Sequence, residues 1–370
     1  MSEPESESAI RGPREGFIEN LRVNTSLIRR KIKSTDLKII SRQVGEQTKT
    51  SVDVIYIDGI ADPKVLEELK TRLDRIKIDG IFETGYIEEL IEDHPWSIFP
   101  QVQVTERPDS VAANLLEGRI AVLVDGTPFV MILPATFWQQ FQASEDYYDR
   151  FYIAIFLRAI RLVFLGIALL LPALYVAVTT YHQEMIPTNL LLSIAASREA
   201  IPFPAVVEAL IMEISFEALR EAGVRLPKTI GQAVSILGAL VIGSAAVEAG
   251  IVSAPMVIIV SLTGIASFTI PKFSLAISVR LLRFPLIILG SVFGMFGLVI
   301  GMVFILTHLC KLRSFGVPYF EPIGPMHFSE LKDVFVRMPI WMQNKRPREF
   351  VKRNRKRQVQ HLSPSPKQNN

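Results

Sequence analysis

The middle of the chain carries very little charge over a length that constrains its fold strongly. Residues 157–310 contain 9 Lys or Arg and 7 Asp or Glu in 154 positions, and apolar runs fill the spaces between them. A helical run of about 20 apolar residues is long enough to cross the hydrocarbon core of a bilayer. The sequence therefore predicts an α-helical membrane domain over residues 151–310. It excludes a single soluble globule, a fibrous chain and a mainly disordered chain.

The charges are concentrated at the two ends of the chain instead. Residues 1–156 have a net charge of −8 and residues 311–370 a net charge of +9, which the overall value of +3 conceals. We expect residues 1–10 to be a disordered leader, without the basic and apolar regions of a signal peptide. We expect residues 311–370 to be a short basic cytoplasmic region, since positive charge beside membrane helices marks that side. Anionic lipid is its expected partner, and nucleic acid is not.

The segment before the apolar runs has the mixed pattern of an α/β cytoplasmic domain, residues 11–150. Alternating apolar residues predict strands and turns, and Asp62 followed by Pro63 predicts a helix start. The predicted strands cover residues 37–44, 52–57, 102–105, 119–124 and 129–133, and the predicted helices cover 63–77, 86–92 and 108–117.

The membrane domain is expected to contain about four to five transmembrane segments, and four is preferred because an even number leaves both ends cytoplasmic. The clearest apolar runs are residues 162–181, 232–247, 251–270 and 284–309. The last run carries four glycines at spacings of 4, 3 and 4, which places them on one face of a continuous helix. Such a stripe favours close helix packing over chemistry; its members are Gly290, Gly294, Gly297 and Gly301.

Two groups of polar residues interrupt this apolar background and are candidate sites. The first is a predicted amphipathic helix near residues 203–222, whose carboxylates Glu208, Glu213 and Glu217 would be costly facing lipid. It could lie at the surface, line an ion path and attract cations, or hold a metal. The second group is Leu237, Val241, Ser244 and Glu248, which share a helical face. Glu248 could simply lie in a solvated turn. If several copies of the chain form a symmetric ring, this helical face is repeated around the axis and would form a pore with an apolar gate.

No catalytic motif is present, so the chain is not expected to be an enzyme and is expected to need no cofactor. The sequence lacks a dinucleotide-binding fingerprint, a phosphate-binding loop, a nucleophile elbow and a zinc-protease motif. The single cysteine, Cys310, excludes an intrachain disulfide and a cysteine-based zinc site, and no metal ligand set is predicted.

Short motifs along the chain resemble those of the spore germinant receptor A subunits, the GerA family. They occur in the same order as in that family, from about residue 11 to 339. In the first half these are RGPREGF (11–17), NTSLIRR (24–30), YIEELIED (86–93), FPQ (99–101), TERPD (105–109), GRIAVLVDGTPFV (118–130) and DYYDR (146–150). In the second half they are HQEMIPT (182–188), IPFP (201–204), EALIME (208–213), LREAGVRLP (219–227), GQAV (231–234), AAVEAG (245–250) and RSFGVPY (313–319).

The resemblance implies a multipass protein of the spore inner membrane that releases monovalent cations when a nutrient binds. It implies a transporter-like B subunit that binds the germinant, a lipoprotein C subunit, and a homo-oligomeric ring, a pentamer being the proposed form. Stage V sporulation protein AF shares these motifs and is the less favoured relative. Family members usually carry a further N-terminal subdomain, so this chain is expected to be a shortened member.

The leading hypothesis is a subunit of a nutrient-gated ion channel. Two alternatives stay open: a secondary transporter, favoured by the proline-interrupted segments and the intramembrane carboxylates, and a scaffold that organises the receptor without conducting ions.

Overall fold

The computed structural model describes residues 3–4, 6–7, 11–227, 230–231, 236, 238, 240–328, 330–359 and 362, with the backbone alone at residue 242. The chain divides into two compact units. Unit 1 joins Met1–Arg158 to Leu309–Asn370, and unit 2 is Ala159–His308. The segment that follows the apolar region therefore folds with the N-terminal domain, a packing that the sequence patterns do not reveal.

Unit 1 is built on a five-stranded antiparallel sheet, which confirms the predicted α/β character of the N-terminal domain. The strand order is β1-β2-β4-β5-β3. Its strands are β1 Leu37–Val44, β2 Thr50–Ile57, β3 Gln103–Thr105, β4 Ile120–Val124 and β5 Val130–Leu133. Its helices are α1 Leu21–Lys31, α2 Pro63–Asp74, α3 Thr84–Ile91 and α4 Pro108–Leu116, with 3₁₀ turns at Trp138–Phe141, Ser144–Tyr147, Leu331–Asp333 and Ile340–Met342.

Both faces of this sheet are covered, because alternate residues of each strand point to opposite sides. Ile55 and Leu123 lie in one apolar core with residues of α1 and α4. Val54 and Val122 lie in a second core with residues of α2 and α3. The sheet is therefore the middle layer of three, and its central strands are apolar at nearly every position.

The C-terminal segment enters both of these cores. A two-residue ladder, β6 Arg313–Ser314 and β7 Val317–Pro318, turns through Phe315 and Gly316, which both have positive φ angles. The Phe315 ring joins the second core, whereas Phe350 and Val351 join the first. A Cβ atom at Gly118 would lie 2.5 Å from Val351 Cγ2, so only glycine allows this approach.

Unit 2 is helical. Its helices are α5 Phe151–Tyr181, which begins in unit 1, α6 Thr188–Arg198, α7 Ala205–Arg225, α8 Ala254–Phe268 and α9 Phe273–Lys311, which ends in unit 1. A π-helical turn at Val241–Ala245 continues into Ala246–Glu248, and Gln183–Met185 is a 3₁₀ turn. In the described part of the chain α5 and α9 are long and apolar enough to cross a membrane, and α8 is a shorter apolar helix.

Helix α9 is interrupted at Gly294, so the prediction of one continuous helix with a glycine stripe is wrong. Gly294 has φ 61° and ψ −142°, a conformation that helices exclude and glycine tolerates. It separates a first arm, residues 273–293, from a second arm, residues 295–311. Gly297 lies against the Leu289 carbonyl and Gly301 against the Leu286 side chain, so the two arms are antiparallel. Gly290 instead faces the Ala173 carbonyl of α5.

Candidate functional site

The three carboxylates predicted to attract cations all lie on α7, but in different surroundings. Glu208 and Glu213 are buried, with 0% and 3% of their surfaces exposed, whereas Glu217 is half-buried. Each has an arginine partner, as detailed below. The three carboxylates do not form one open acidic face in this conformation.

Glu208 holds together the ends of three helices. One carboxylate oxygen accepts from Arg198 Nε at 3.1 Å, at the end of α6. The other accepts from the backbone nitrogen and the hydroxyl of Ser253, at 3.0 and 2.8 Å, just before α8 begins. Charge-assisted hydrogen bonds of this kind offset the desolvation of a buried carboxylate. Glu208 therefore fixes α6 and α8 to the start of α7.

Glu213 forms a fully buried ion pair with Arg283 of the first arm of α9. Both side chains are 3% exposed, and the Nη1–Oε2 distance is 2.5 Å. Arg283 Nε also donates to the Ala168 carbonyl of α5 at 2.8 Å. Among the described residues, Glu213 Oε1 and Arg283 Nη2 have no hydrogen-bond partner. The pair thus connects three helices and keeps some unused hydrogen-bonding capacity.

Glu217 contacts two arginines, Arg220 on its own helix and Arg280 on the first arm of α9. The Arg280 Nη1–Glu217 Oε1 distance is 3.9 Å, at the edge of an ion pair. Arg280 is only 6% exposed, and its Nε and Nη2 atoms find no partner in the described part of the chain. Glu217 is therefore shared, and Arg280 is the least satisfied charge of this group.

The residues predicted to line a pore lie on the surface of the single chain. Val241 is 51% exposed, and Ser244 and Glu248 are also exposed. The Ser244 hydroxyl donates to the Leu240 carbonyl at 2.8 Å, inside a π-helical turn of a kind often found at functional sites. Leu237, the fourth predicted member, lies outside the described residues.

Large apolar side chains cover much of the surface of α8 and α9. Such a surface is unusual for a soluble domain and suits lipid or another apolar partner. Examples exposed by more than half are Ile258, Ile265, Phe268, Leu281, Val292, Phe293, Phe296, Val299, Val303 and Phe304.

Sequence reasoning missed a charged cluster at the start of α5, where the helix leaves the α/β domain. Arg158 is 4% exposed and pairs with Asp146 at 2.9 Å and with Asp333 at 3.0 Å. The Tyr147 hydroxyl donates to Asp333 at 2.8 Å. An isolated arginine just before an apolar run was the available signal, but its partner Asp333 is 175 residues away. The cluster joins the base of α5 to the C-terminal segment.

The basic tail also makes contacts that its composition does not predict. Arg346 Nε donates to the Leu116 carbonyl at 2.7 Å, and Arg357 pairs with Glu117 at 3.3 Å. Lys352 lies 3.4 Å from the Asp62 carboxylate. Part of the positive charge of the tail is thus used within unit 1.

An α/β unit and a helical unit that has, among its described residues, two helices long and apolar enough to span a membrane are consistent with a membrane protein. The family model described as Bacillus/Clostridium GerA spore germination protein matches residues 1–349. The chain belongs to the GerA family of spore germination proteins.

Two sequence relatives, YfkQ and spore germination protein KA, agree with this assignment. The membrane protein YfkQ of Bacillus subtilis (strain 168) is 61% identical over 370 residues, which are 100% of this chain and 72% of the relative. Spore germination protein KA of the same strain is 56% identical over 366 residues, 99% of this chain and 67% of the relative. The crystal structure of the N-terminal domain of the A subunit of the Bacillus megaterium spore germinant receptor GerK3 is 52% identical. The match covers 33% of this chain and 98% of the crystallised GerK3 chain, with a TM-score of 0.28.

Proposed function

We propose that this chain is the A subunit of a spore germinant receptor and that several copies surround a nutrient-gated path for monovalent cations. Family membership supports the receptor role. The observation that carries the channel role is the exposed row Val241, Ser244 and Glu248 within an otherwise apolar unit. A carboxylate beside membrane-spanning helices is costly unless it faces water or a partner. A ring of copies gives these side chains a water-filled axis.

The ion pairs of α7 are those expected in a closed state of the proposed channel. Glu208 and Glu213 are occupied by Arg198 and Arg283, so neither carboxylate is free to attract a cation in the conformation described. Opening then has to exchange one of these pairs for water or a permeating ion. Nutrient binding in a B subunit drives that exchange when the open arrangement is the one that the partner binds more tightly.

The packing of unit 1 supports an even number of membrane crossings. Its N-terminal domain and C-terminal segment share two apolar cores, so both must lie on the same side of a membrane. The excess of Lys and Arg after residue 310 favours the cytoplasm as that side. Together with the family membership, this supports a multipass protein of the spore inner membrane. Its partners would be B and C subunits and further copies of this chain, five being the family's proposed number.

Replacement of Val241 with alanine tests the channel assignment. A smaller side chain at an apolar constriction admits water, so spores carrying Val241→Ala should lose potassium without nutrient. The matched control is Val163→Ala, which shortens another exposed valine of unit 2, on α5. The measurement is potassium release from dormant spores with and without germinant. Variant spores that stay as tight and as nutrient-dependent as the wild type overturn the pore assignment.

The native single cysteine gives a direct test of the crossings. Cys310 is exposed at the end of α9, and Glu184 is exposed in the turn after α5. We expect a membrane-impermeant maleimide to label Cys310 only after the cytoplasmic face is opened. In a Cys310→Ser background, Glu184→Cys should be labelled from the opposite face. Labelling of both positions from one face would contradict the proposed topology.

A further inference from the structure

Three potential metal ligands converge in the C-terminal segment of unit 1, away from every residue discussed above as a pore or gate. Glu321, His327 and Glu349 each offer a donor atom, and these atoms all lie within 4.8 Å of one another. The residues are 6 and 22 positions apart in the chain. No metal-binding motif has this spacing, which is why the sequence predicted no metal ligand set.

Two residues of this cluster hold buried polar atoms that receive no hydrogen bond from an N–H or O–H donor of the described residues. Glu321 is 3% exposed, and both of its carboxylate oxygens lack such a donor, although the Glu330 carboxyl lies beside them. His327 Nε2 is likewise buried without a partner there. Buried polar atoms are almost always hydrogen-bonded in folded proteins, so these atoms of Glu321 and His327 call for a ligand.

The charge around the cluster is strongly negative. Burial, together with the carboxylates of Glu330 and Glu349, raises the pKa of Glu321 to about 8. The positive charge of Arg119 partly opposes this effect, but Arg119 also pairs with Glu117 at 3.5 Å. A bound cation would relieve this concentration of carboxylates. The competing state is a neutral Glu321 that shares a proton with Glu330.

We propose that Glu321, His327 and Glu349 bind one divalent transition-metal ion, such as Zn²⁺ or Mn²⁺. Two carboxylate oxygens and one imidazole nitrogen form a mixed donor set that suits these ions better than Ca²⁺ or Mg²⁺, which prefer oxygen alone. Tetrahedral ligands about 2.0–2.2 Å from an ion lie about 3.3–3.6 Å from one another, so small side-chain movements would bring donor atoms that lie within 4.8 Å to binding distance. A cavity of about 80 Å³ borders Glu321 and Glu330.

The ion would fasten the C-terminal segment to the core of unit 1. Glu349 directly precedes Phe350 and Val351, which are buried in the first apolar core. Glu321 follows Tyr319, whose carbonyl accepts from the Phe137 backbone nitrogen at 2.8 Å. A metal bridge between these two points closes a loop of the segment where it packs on the N-terminal domain. The site is independent of the proposed channel function.

The test uses the full chain in detergent, purified with a tag that contains no histidine and freed of metal with a chelator. Isothermal titration with Zn²⁺ and with Mn²⁺ should show one ion per chain, confirmed by elemental analysis after desalting. Glu321→Gln, His327→Gln and Glu349→Gln should each weaken binding at least ten-fold. Glu46→Gln and His94→Gln, exposed residues of the same unit, are matched controls and should bind as the wild type does.

A thermal measurement separates loss of the site from loss of the fold. Glu321→Gln replaces a buried carboxyl group beside other carboxylates with a neutral amide of similar shape, so without metal its unfolding temperature should equal or exceed that of the wild type. Zn²⁺ or Mn²⁺ should raise the unfolding temperature of the wild type and leave that of Glu321→Gln unchanged. Wild-type protein that binds neither ion, or that binds Ca²⁺ or Mg²⁺ more tightly, overturns the proposal. So do variants that bind as the wild type does.

Discussion

Arg283 and Glu213 depend on each other, because each would otherwise be a lone charge among apolar helices. Their shared burial at 3% exposure leaves little water to screen either group. Removal of one member of a buried pair leaves the other uncompensated, which typically costs about 3–5 kcal/mol. The pair therefore determines whether α7 stays attached to α5 and the first arm of α9.

Arg283→Met should lower the free energy of unfolding by about 3–5 kcal/mol, because it leaves the Glu213 carboxylate buried and alone. The double variant with Glu213→Leu should recover much of that loss. The control Arg225→Met breaks the exposed pair with Glu221 and should change stability by no more than about 1 kcal/mol. Denaturation of the detergent-solubilised chain measures all three. Equal effects of Arg283→Met and Arg225→Met would contradict a structural role for the buried pair.

Glu88 on α3 predicts a pH dependence of unit 1. Burial, together with the carboxylates of Glu92 and Glu83, raises the pKa of Glu88 from 4.5 to about 7. The folded state therefore holds a proton that the unfolded state has released, so stability should fall as the pH rises from about 4.5 to 7. Glu88→Gln should flatten this decline, whereas Glu89→Gln, at an exposed neighbour, should not. Unfolding temperatures between pH 5 and 8 provide the measurement; identical slopes would refute the assignment.

Among the secondary-structure elements, helix α9 departs most from its prediction, because the chain reverses at Gly294. Regular spacing of four glycines predicts one face of one helix, but spacing carries no information about φ. The close approach of Gly297 and Gly301 to the first arm shows that the glycines pack, although they do so across a reversal of the chain. Periodicity identified the apolar runs that form α5, α8 and α9 and missed the point where α9 turns back, while part of the predicted run 232–247 lies outside the described residues.

Gly294→Ala should destabilise unit 2 by at least about 1–3 kcal/mol, because an L residue is strained at φ 61° and ψ −142°. A Cβ atom there would also lie 2.7 Å from His182 Cε1. Gly166→Ala, in the interior of α5 with open space around its Cβ, is the control and should be neutral or slightly stabilising. A neutral Gly294→Ala would argue for a continuous helix α9.

Local patterns predicted the strands of the α/β domain closely. The predicted strand 37–44 is β1, and Asp62 caps α2 by accepting from the Lys64 nitrogen, with Pro63 at the first position. Such features depend on residues a few positions apart. The contacts of Arg158 with Asp333 and of Phe350 with the domain core join residues that are far apart in sequence, so no local pattern could predict them.

At the scale of the whole molecule, the two ends of the chain form one folded unit from which α5 leaves and to which α9 returns. The Arg158 cluster lies where α5 begins, in contact with both the N-terminal domain and the C-terminal segment. The first turns of α5 are therefore held within unit 1. Under the proposed function, we infer that movement of the C-terminal segment acts on α5 through these side chains.

We propose that copies of this chain conduct monovalent cations, so protein reconstituted in liposomes should show an ion flux. Purified chain in liposomes should pass potassium at a rate that rises linearly with the potassium concentration. Glu248→Gln should reduce that flux. Glu184→Gln, an exposed carboxylate in the turn after α5, serves as the control. Saturable uptake would indicate a transporter. The absence of any flux from assembled oligomers, including those with Val241→Ala, would contradict the channel account.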